Sequence, residues 1–242
     1  MTPEIQVLVL TAAAIAFVHT ILGPDHYLPF VAMAKARGWS LQKTVRVTLI
    51  CGIGHLGGSV LLGFVGIMLG VQLASLEWLE SMRGNVAAWL LIGFGLAYLA
   101  WGLGQAYKNK PHSHWHSHGG VTHEHKHSHH RDHAHVHDQQ AHDQRERPRS
   151  VTPWLIFIIF VLGPCEPLIP LLMYPAARES LAGVLMVATV FGLVTVVTMT
   201  LVVALAVAGL GAIRLNRFER FGHAMAGSAI LACGLAIAVL GI

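Results

Sequence analysis

The stretch "HTILGPDHYLPF", residues 19 to 30, sets His19, Asp25 and His26 inside an otherwise apolar run that begins at Ile5, and His55 follows in the next apolar run. Together they offer imidazole nitrogen and carboxylate oxygen. That mixed donor set suits divalent first-row metals such as nickel, cobalt or zinc, whereas calcium and magnesium prefer oxygen alone. A carboxylate at the centre of a membrane helix costs about 2.5 to 3.5 kcal/mol on insertion scales, so Asp25 needs an ion or a partner there. A second pair of candidate ligands, Cys165 and Glu166, lies in "LGPCEPL" at residues 162 to 168. Cys165 reads either as a soft ligand or as an inert small hydrophobe. Glu166 reads either as a ligand or as an interfacial, solvated carboxylate.

These residues must be positioned by membrane-spanning elements. The chain is 54% hydrophobic and only 12% charged, and its polar residues are concentrated in one segment. Runs long enough to cross about 30 Å of hydrocarbon fall near residues 5–34, 44–74, 86–107, 151–177, 181–213 and 221–242. No lysine or arginine precedes Lys35, so the first run reads as a retained helix and not as a secretory leader. The fold class expected is an all-α polytopic membrane protein with six transmembrane helices. The pieces are a first three-helix repeat (1–107), a loop (108–150) and a second three-helix repeat (151–242).

The repeat itself is visible in the letters. "LGPDHYL" at 22–28 answers "LGPCEPL" at 162–168, and the same offset pairs Gly52 with Gly192 and His55 with Thr195. Three helices per unit is an odd number, so the second copy enters from the opposite side, the inverted-repeat plan of many secondary transporters. The first run is too long to be one straight span. Gly23-Pro24 is the place to break it, because proline removes a backbone donor and clashes with the preceding turn; Gly163-Pro164 breaks the fourth helix in the same way. On an unbroken helix His19 and His26 would stand about 10.5 Å apart along the axis. They either come together through the break or form two stations on one path. His55 and His19 also have a plainer reading, as groups that hydrogen-bond a neighbouring helix.

Fourteen of the 16 lysines and arginines fall in the first, third and fifth connections, leaving only Arg83 and Arg178 for the second and fourth. By the positive-inside rule the odd connections are cytoplasmic and both termini lie outside. The net charge of +4 is explained by that face, and no aromatic-interleaved basic patch argues for nucleic acid. Cys51, Cys165 and Cys233 all fall in expected spans without a Cys-x-x-Cys pair, which speaks against a disulfide framework. His223, beside Arg220 at the start of the sixth span, reads as interfacial.

Thirteen of the 17 histidines crowd the third connection: His112, His114, His116, His118, His123, His125, His127, His129, His130, His133, His135, His137 and His142. The tract has almost no apolar content and reads as a disordered metal-binding tether. "HEHKH" at 123–127 matches a zinc-protease pattern only formally, since so histidine-rich a stretch yields it by chance.

On "HTILGPDH", His55 and the histidine-rich loop, the chain resembles the nickel/cobalt permeases, in the six-helix NicO and UreH-like branch of the LysE-type transporters. In that family the first-helix signature is commonly His, four residues, then Asp-His. Five residues separate His19 from Asp25 here, so Asp25 and His26 transfer directly and His19 is displaced by one position. The resemblance implies a transporter of nickel or cobalt ions, no enzyme, with the metal as cargo and no permanently bound cofactor. It implies residence in a bacterial cytoplasmic (inner) membrane, with metal ions and lipid as partners and a homodimer or a metallochaperone as a further one. "GPCEP" also resembles thiol-disulfide electron carriers of the DsbD and CcdA type, but Asp25 stands where their second thiol would be, and thiol exchange needs a second sulfur. A non-transporting metal sensor or assembly factor is the remaining alternative. No nucleotide-binding loop is present, so a transporter would draw on an ion gradient, the membrane potential or a partner. Direction of movement is not encoded in these residues.

Overall fold

The computed structural model describes residues 3–108, 112–118, 121–127, 152–177, 180–212 and 219–240. The first helix, α1 (Pro3–Leu22), stops at Gly23 and is followed by a 3-10 turn (Pro24–His26) and a short helix α2 (Leu28–Arg37). Gly38 closes α2 in the left-handed conformation, φ 60°, which glycine adopts at no steric cost. Then Ser40 starts α3 (Leu41–Met68), its side chain accepting the Lys43 amide at 3.2 Å. Helix α4 (Leu73–Lys108) completes the first half. In the second half α5 (Thr152–Leu162) and α6 (Leu168–Ala177) are separated by a non-helical stretch, and α7 (Leu181–Ala212) and α8 (Gly222–Leu240) follow. Both interruptions fall at the Gly-Pro pairs, as expected from the loss of a donor and the clash of the proline ring.

Five helices, α1, α3, α4, α7 and α8, are long and apolar enough to cross a membrane, and α5 and α6 are shorter apolar helices. Their surface is that of a membrane protein. Val7, Leu10, Leu61, Leu193, Leu205 and Val239 are 64–77% exposed, while polar and small groups turn inward. On α3 the buried residues Thr44, Thr48, Cys51, His55 and Ser59 recur every three or four positions, tracing one face of the helix. On α1 the buried face is Ala12, Ala16 and Thr20.

Helix α4 packs along α8, α1 along α7, and α3 against both α5 and α7. The α4–α8 crossing is a contact of main chains. A Cβ added at Gly95 or Gly102 would come 2.5 Å from the backbone nitrogen of Leu231 or Ala224, and one at Gly234 would come 2.8 Å from that of Ile92. Small residues that let backbones touch are a main source of helix association in lipid, where no hydrophobic force drives it.

One sequence expectation changes. Helix α4 begins at Leu73, 13 positions before the apolar run at 86, so Arg83 lies within a helix and not in a connection. The reason is that Arg83 is neutralised by Glu80, three residues earlier on the same helix. Within the histidine-rich tract two short segments, β1 (His112–His118) and β2 (Val121–His127), pair antiparallel. Their register sets His112 opposite His127, His114 opposite His125 and His116 opposite His123. Alternating His-x-His has the two-residue period of a strand, and the runs are separated in sequence by Gly119-Gly120, a composition suited to a hairpin connection. His129, His130, His133, His135, His137 and His142 lie outside the described residues.

Candidate metal centre

Gly23 lets the chain fold back on itself after α1. A Cβ there would meet His26 Nδ1 at 2.5 Å and Asp25 Oδ1 at 2.9 Å, so no larger residue fits the turn as it stands. The turn carries His26 back beside His19: their rings are 4.8 Å apart, centre to centre, and nearly perpendicular. His55 arrives from α3, with its ring 5.3 Å from that of His26. One ring nitrogen from each of the three lies within 4.8 Å of the others. Nitrogens bound to one tetrahedral ion at about 2.1 Å sit about 3.4 Å apart, so ring rotations of about 1 Å close the set. The break therefore joins His19 and His26 in one site, the first of the two arrangements open from sequence.

The hydrogen bonds decide which nitrogens are offered. His26 Nδ1 is 3.1 Å from the Gly23 carbonyl, and His55 Nδ1 is 3.2 Å from the Phe160 carbonyl. A carbonyl can only accept, so each Nδ1 carries the proton and donates it, which leaves Nε2 of the neutral ring as a lone pair. Those Nε2 atoms, and Nε2 of His19, are buried without a hydrogen-bond partner. Both His26 and His55 are 2% exposed. Buried polar atoms are nearly always satisfied, so three unpartnered imidazole nitrogens grouped in one place make a candidate cation-binding centre. Tying the second ring nitrogen to a carbonyl is also how metal-bound histidines are oriented.

Asp25 supplies negative charge. Its Oδ1 stands 3.2 Å from His26 Nδ1 but off the line of that N–H, which the Gly23 carbonyl takes, and so remains without a hydrogen bond. A cavity of about 340 Å³ opens beside it, lined by Asp25 and His26 from the first break and by Pro164, Glu166 and Pro167 from the second. Ser81 and Asn85 of α4 add polar groups to its wall. The two interrupted segments thus face one space, with Asp25 and Glu166 both lining it.

Cys165 does not join the histidines. It is fully buried in an apolar cluster with Ala12, Ala16, Leu168 and Phe191. Thr195, the residue matched to His55 by the 140-residue offset, is buried on α7 with its hydroxyl unpartnered. His223 lies apart, its Nδ1 sharing a hydrogen bond of 2.9 Å with the Tyr98 hydroxyl, to which Arg37 Nε donates at 3.1 Å.

No known protein family, curated protein or solved structure matches the chain. The geometry has to speak for itself, and it draws in three residues that sequence reasoning passed over: Ser59, Glu80 and Arg83. Glu80 is 1% exposed and is bonded by Arg83 and by the Ser59 hydroxyl, the latter at 3.2 Å. The readable signal was the Glu80-x-x-Arg83 spacing, which brings opposite charges onto one helix face.

Proposed function

We propose that this protein is a membrane transporter of divalent transition-metal ions, of the nickel/cobalt permease type, with nickel or cobalt as cargo. The observation that carries the reading is the grouping of His19, His26 and His55, one ring nitrogen of each within 4.8 Å of the others and each with a buried, unpartnered Nε2, where His19, His26 and Asp25 line a cavity between two broken apolar helices. Neutral imidazole with one carboxylate is a borderline ligand set, matched to late first-row divalent ions. A midplane site between interrupted helices is where secondary transporters hold their cargo.

In this reading α1 with α2 and α5 with α6 each make one interrupted span, giving six spans as two inverted three-helix repeats. The packing supports it, because contacts recur when the halves are exchanged: α3 meets α5 as α7 meets α1, α3 meets α6 as α7 meets α2, and α4 meets α6 as α8 meets α2. The charge distribution supports cytoplasmic odd connections, with the histidine-rich loop gathering metal on that side and both termini outside. A thiol-disulfide carrier lacks such support, since Cys165 is enclosed in an apolar cluster.

The test is accumulation of nickel, cobalt and zinc in cells with and without the protein, at matched membrane abundance, with His26→Ala as control. A change that His26→Ala removes fixes both ion and direction. Unaltered metal content accompanied by altered periplasmic disulfides would replace this reading with the electron-carrier one.

A further inference from the structure

Helix breaks in lipid leave backbone groups that some other part of the protein has to satisfy. At the second break this is done by α4. Arg83 Nη2 donates to the Val161 carbonyl at 2.9 Å and to the Gly163 carbonyl at 3.3 Å, both at the C-terminal end of α5, where unpaired carbonyls carry partial negative charge. Across the gap Glu80 Oε2 accepts the Cys165 amide at 3.1 Å. The cation therefore meets the carbonyl end of one half-helix and the anion meets an amide leading into the next, while Arg83 and Glu80 bond each other.

The same end of α5 orients a metal-centre histidine. His55 Nδ1 donates to the carbonyl of Phe160, the residue before Val161, and Ser59, one turn further along α3, donates to Glu80. Gly58 of α3 leaves the room: a Cβ there would lie 2.6 Å from Arg83 Nη2 and 2.9 Å from the Val161 oxygen.

We propose that Glu80 and Arg83 are positioning residues that brace the α5–α6 break and, through the Phe160 carbonyl, fix the ring of His55 so that its Nε2 points at the metal centre. The proposal rests on the metal-transport reading. Neither residue touches the ion. Both act as outer-shell partners do, one hydrogen bond removed from the ligand, where substitutions change metal affinity by about 10- to 100-fold.

The experiment measures cobalt flux into proteoliposomes holding the full chain, with labelling of Cys165 by a small maleimide, located by mass spectrometry, as a readout independent of metal. Arg83→Gln and Gly58→Ala are each expected to raise the half-saturating cobalt concentration by about 10- to 100-fold and to increase Cys165 labelling. Arg83→Lys, which keeps the charge and can still donate to a carbonyl, should recover part of both. Gly58→Ala keeps Glu80 and Arg83 intact, so it serves if Arg83→Gln fails to insert. A fall in maximal flux with half-saturation unchanged, or raised labelling with half-saturation unchanged, would overturn the proposal, because the brace would then be structural only. Absence of cobalt flux in the wild-type protein would remove the metal-transport reading itself, a failure visible before any variant is made.

Discussion

The two Gly-Pro breaks begin alike and are resolved in opposite ways. The first is satisfied from within: His26 Nδ1 and the His26 amide both bond the Gly23 carbonyl, and the Tyr27 hydroxyl reaches the Ile21 carbonyl at 3.3 Å. Its side chains then have donor atoms to spare, and those are the ones that point at the metal centre. The second break makes backbone bonds of its own, from the Gly163 amide to the Ile159 and Phe160 carbonyls and from the Leu168 amide to the Cys165 carbonyl, but its remaining groups are met by an ion pair from α4. One interruption exposes chemistry and the other is held still so that the chemistry keeps its shape. On the proposed function, two similar stretches of sequence would thus be specialised, with liganding on one side and stiffness on the other.

The largest expected effect comes from the chemical break. His26→Ala, His55→Ala and Asp25→Asn each remove a ligand or the charge that offsets a divalent ion, and each should bring metal flux close to background while the protein still inserts. Flux and protein abundance measured together check this. Wild-type flux in Asp25→Asn would erase the distinction between the breaks.

The braced break should respond in stability. Removing one partner of a buried ion pair leaves the other charge uncompensated, at about 3 to 5 kcal/mol. Arg83→Ala is therefore expected to lower the thermal midpoint in detergent more than the double replacement Glu80→Gln with Arg83→Gln does. If the double variant is the less stable, the pair contributes as two separate hydrogen-bonding groups, and the brace is misdescribed.

Cys165→Ser sharpens the contrast at smaller scale. It buries a hydroxyl among Ala12, Ala16 and Phe191, at about 1 to 3 kcal/mol, and should leave the order of preference among nickel, cobalt and zinc unchanged. A changed order would make Cys165 a ligand after all.

The smallest effect belongs to the loop. Exchanging residues 112–142 for a Gly/Ser linker should weaken transport at scarce metal and spare it at saturating metal. The wild-type advantage at scarce metal should also shrink as pH falls below about 6.5, since histidine must be neutral to coordinate.

Much of the site was legible because it rests on rules that act locally. Proline cannot continue a helix, so the breaks at Gly23-Pro24 and Gly163-Pro164 could be read directly, and Asp25, His26 and His55 stood out as polar groups in apolar runs. Whether His19 and His26 meet depends on a backward fold at one glycine, and spacing along a chain does not carry that. Glu80 and Arg83 were hidden for a different reason. Charges at 77, 80 and 83 dilute the hydropathy of the start of α4, so a helix resembled a connection, and the Glu80 partner together with the far-off carbonyls of Val161 and Gly163 explains why an arginine sits there. Cys165 had a ligand's chemistry and a hydrophobe's surroundings, and those surroundings join near neighbours such as Leu168 to Ala12 and Ala16 from the far end of the chain.

The glycine contact between α4 and α8 has a mechanical meaning. With Gly95, Gly102 and Gly234 set directly against the main chain of the other helix, no side chain separates the two backbones at these points, and sliding by one notch would require a jump of about a full helical turn, roughly 5.4 Å. Such a seam behaves like the spine of a book. The covers can open and close around it, but the pages do not shift along it, so on the proposed function cargo would pass His26 and His55 by swinging of the shorter, interrupted helices about a fixed line.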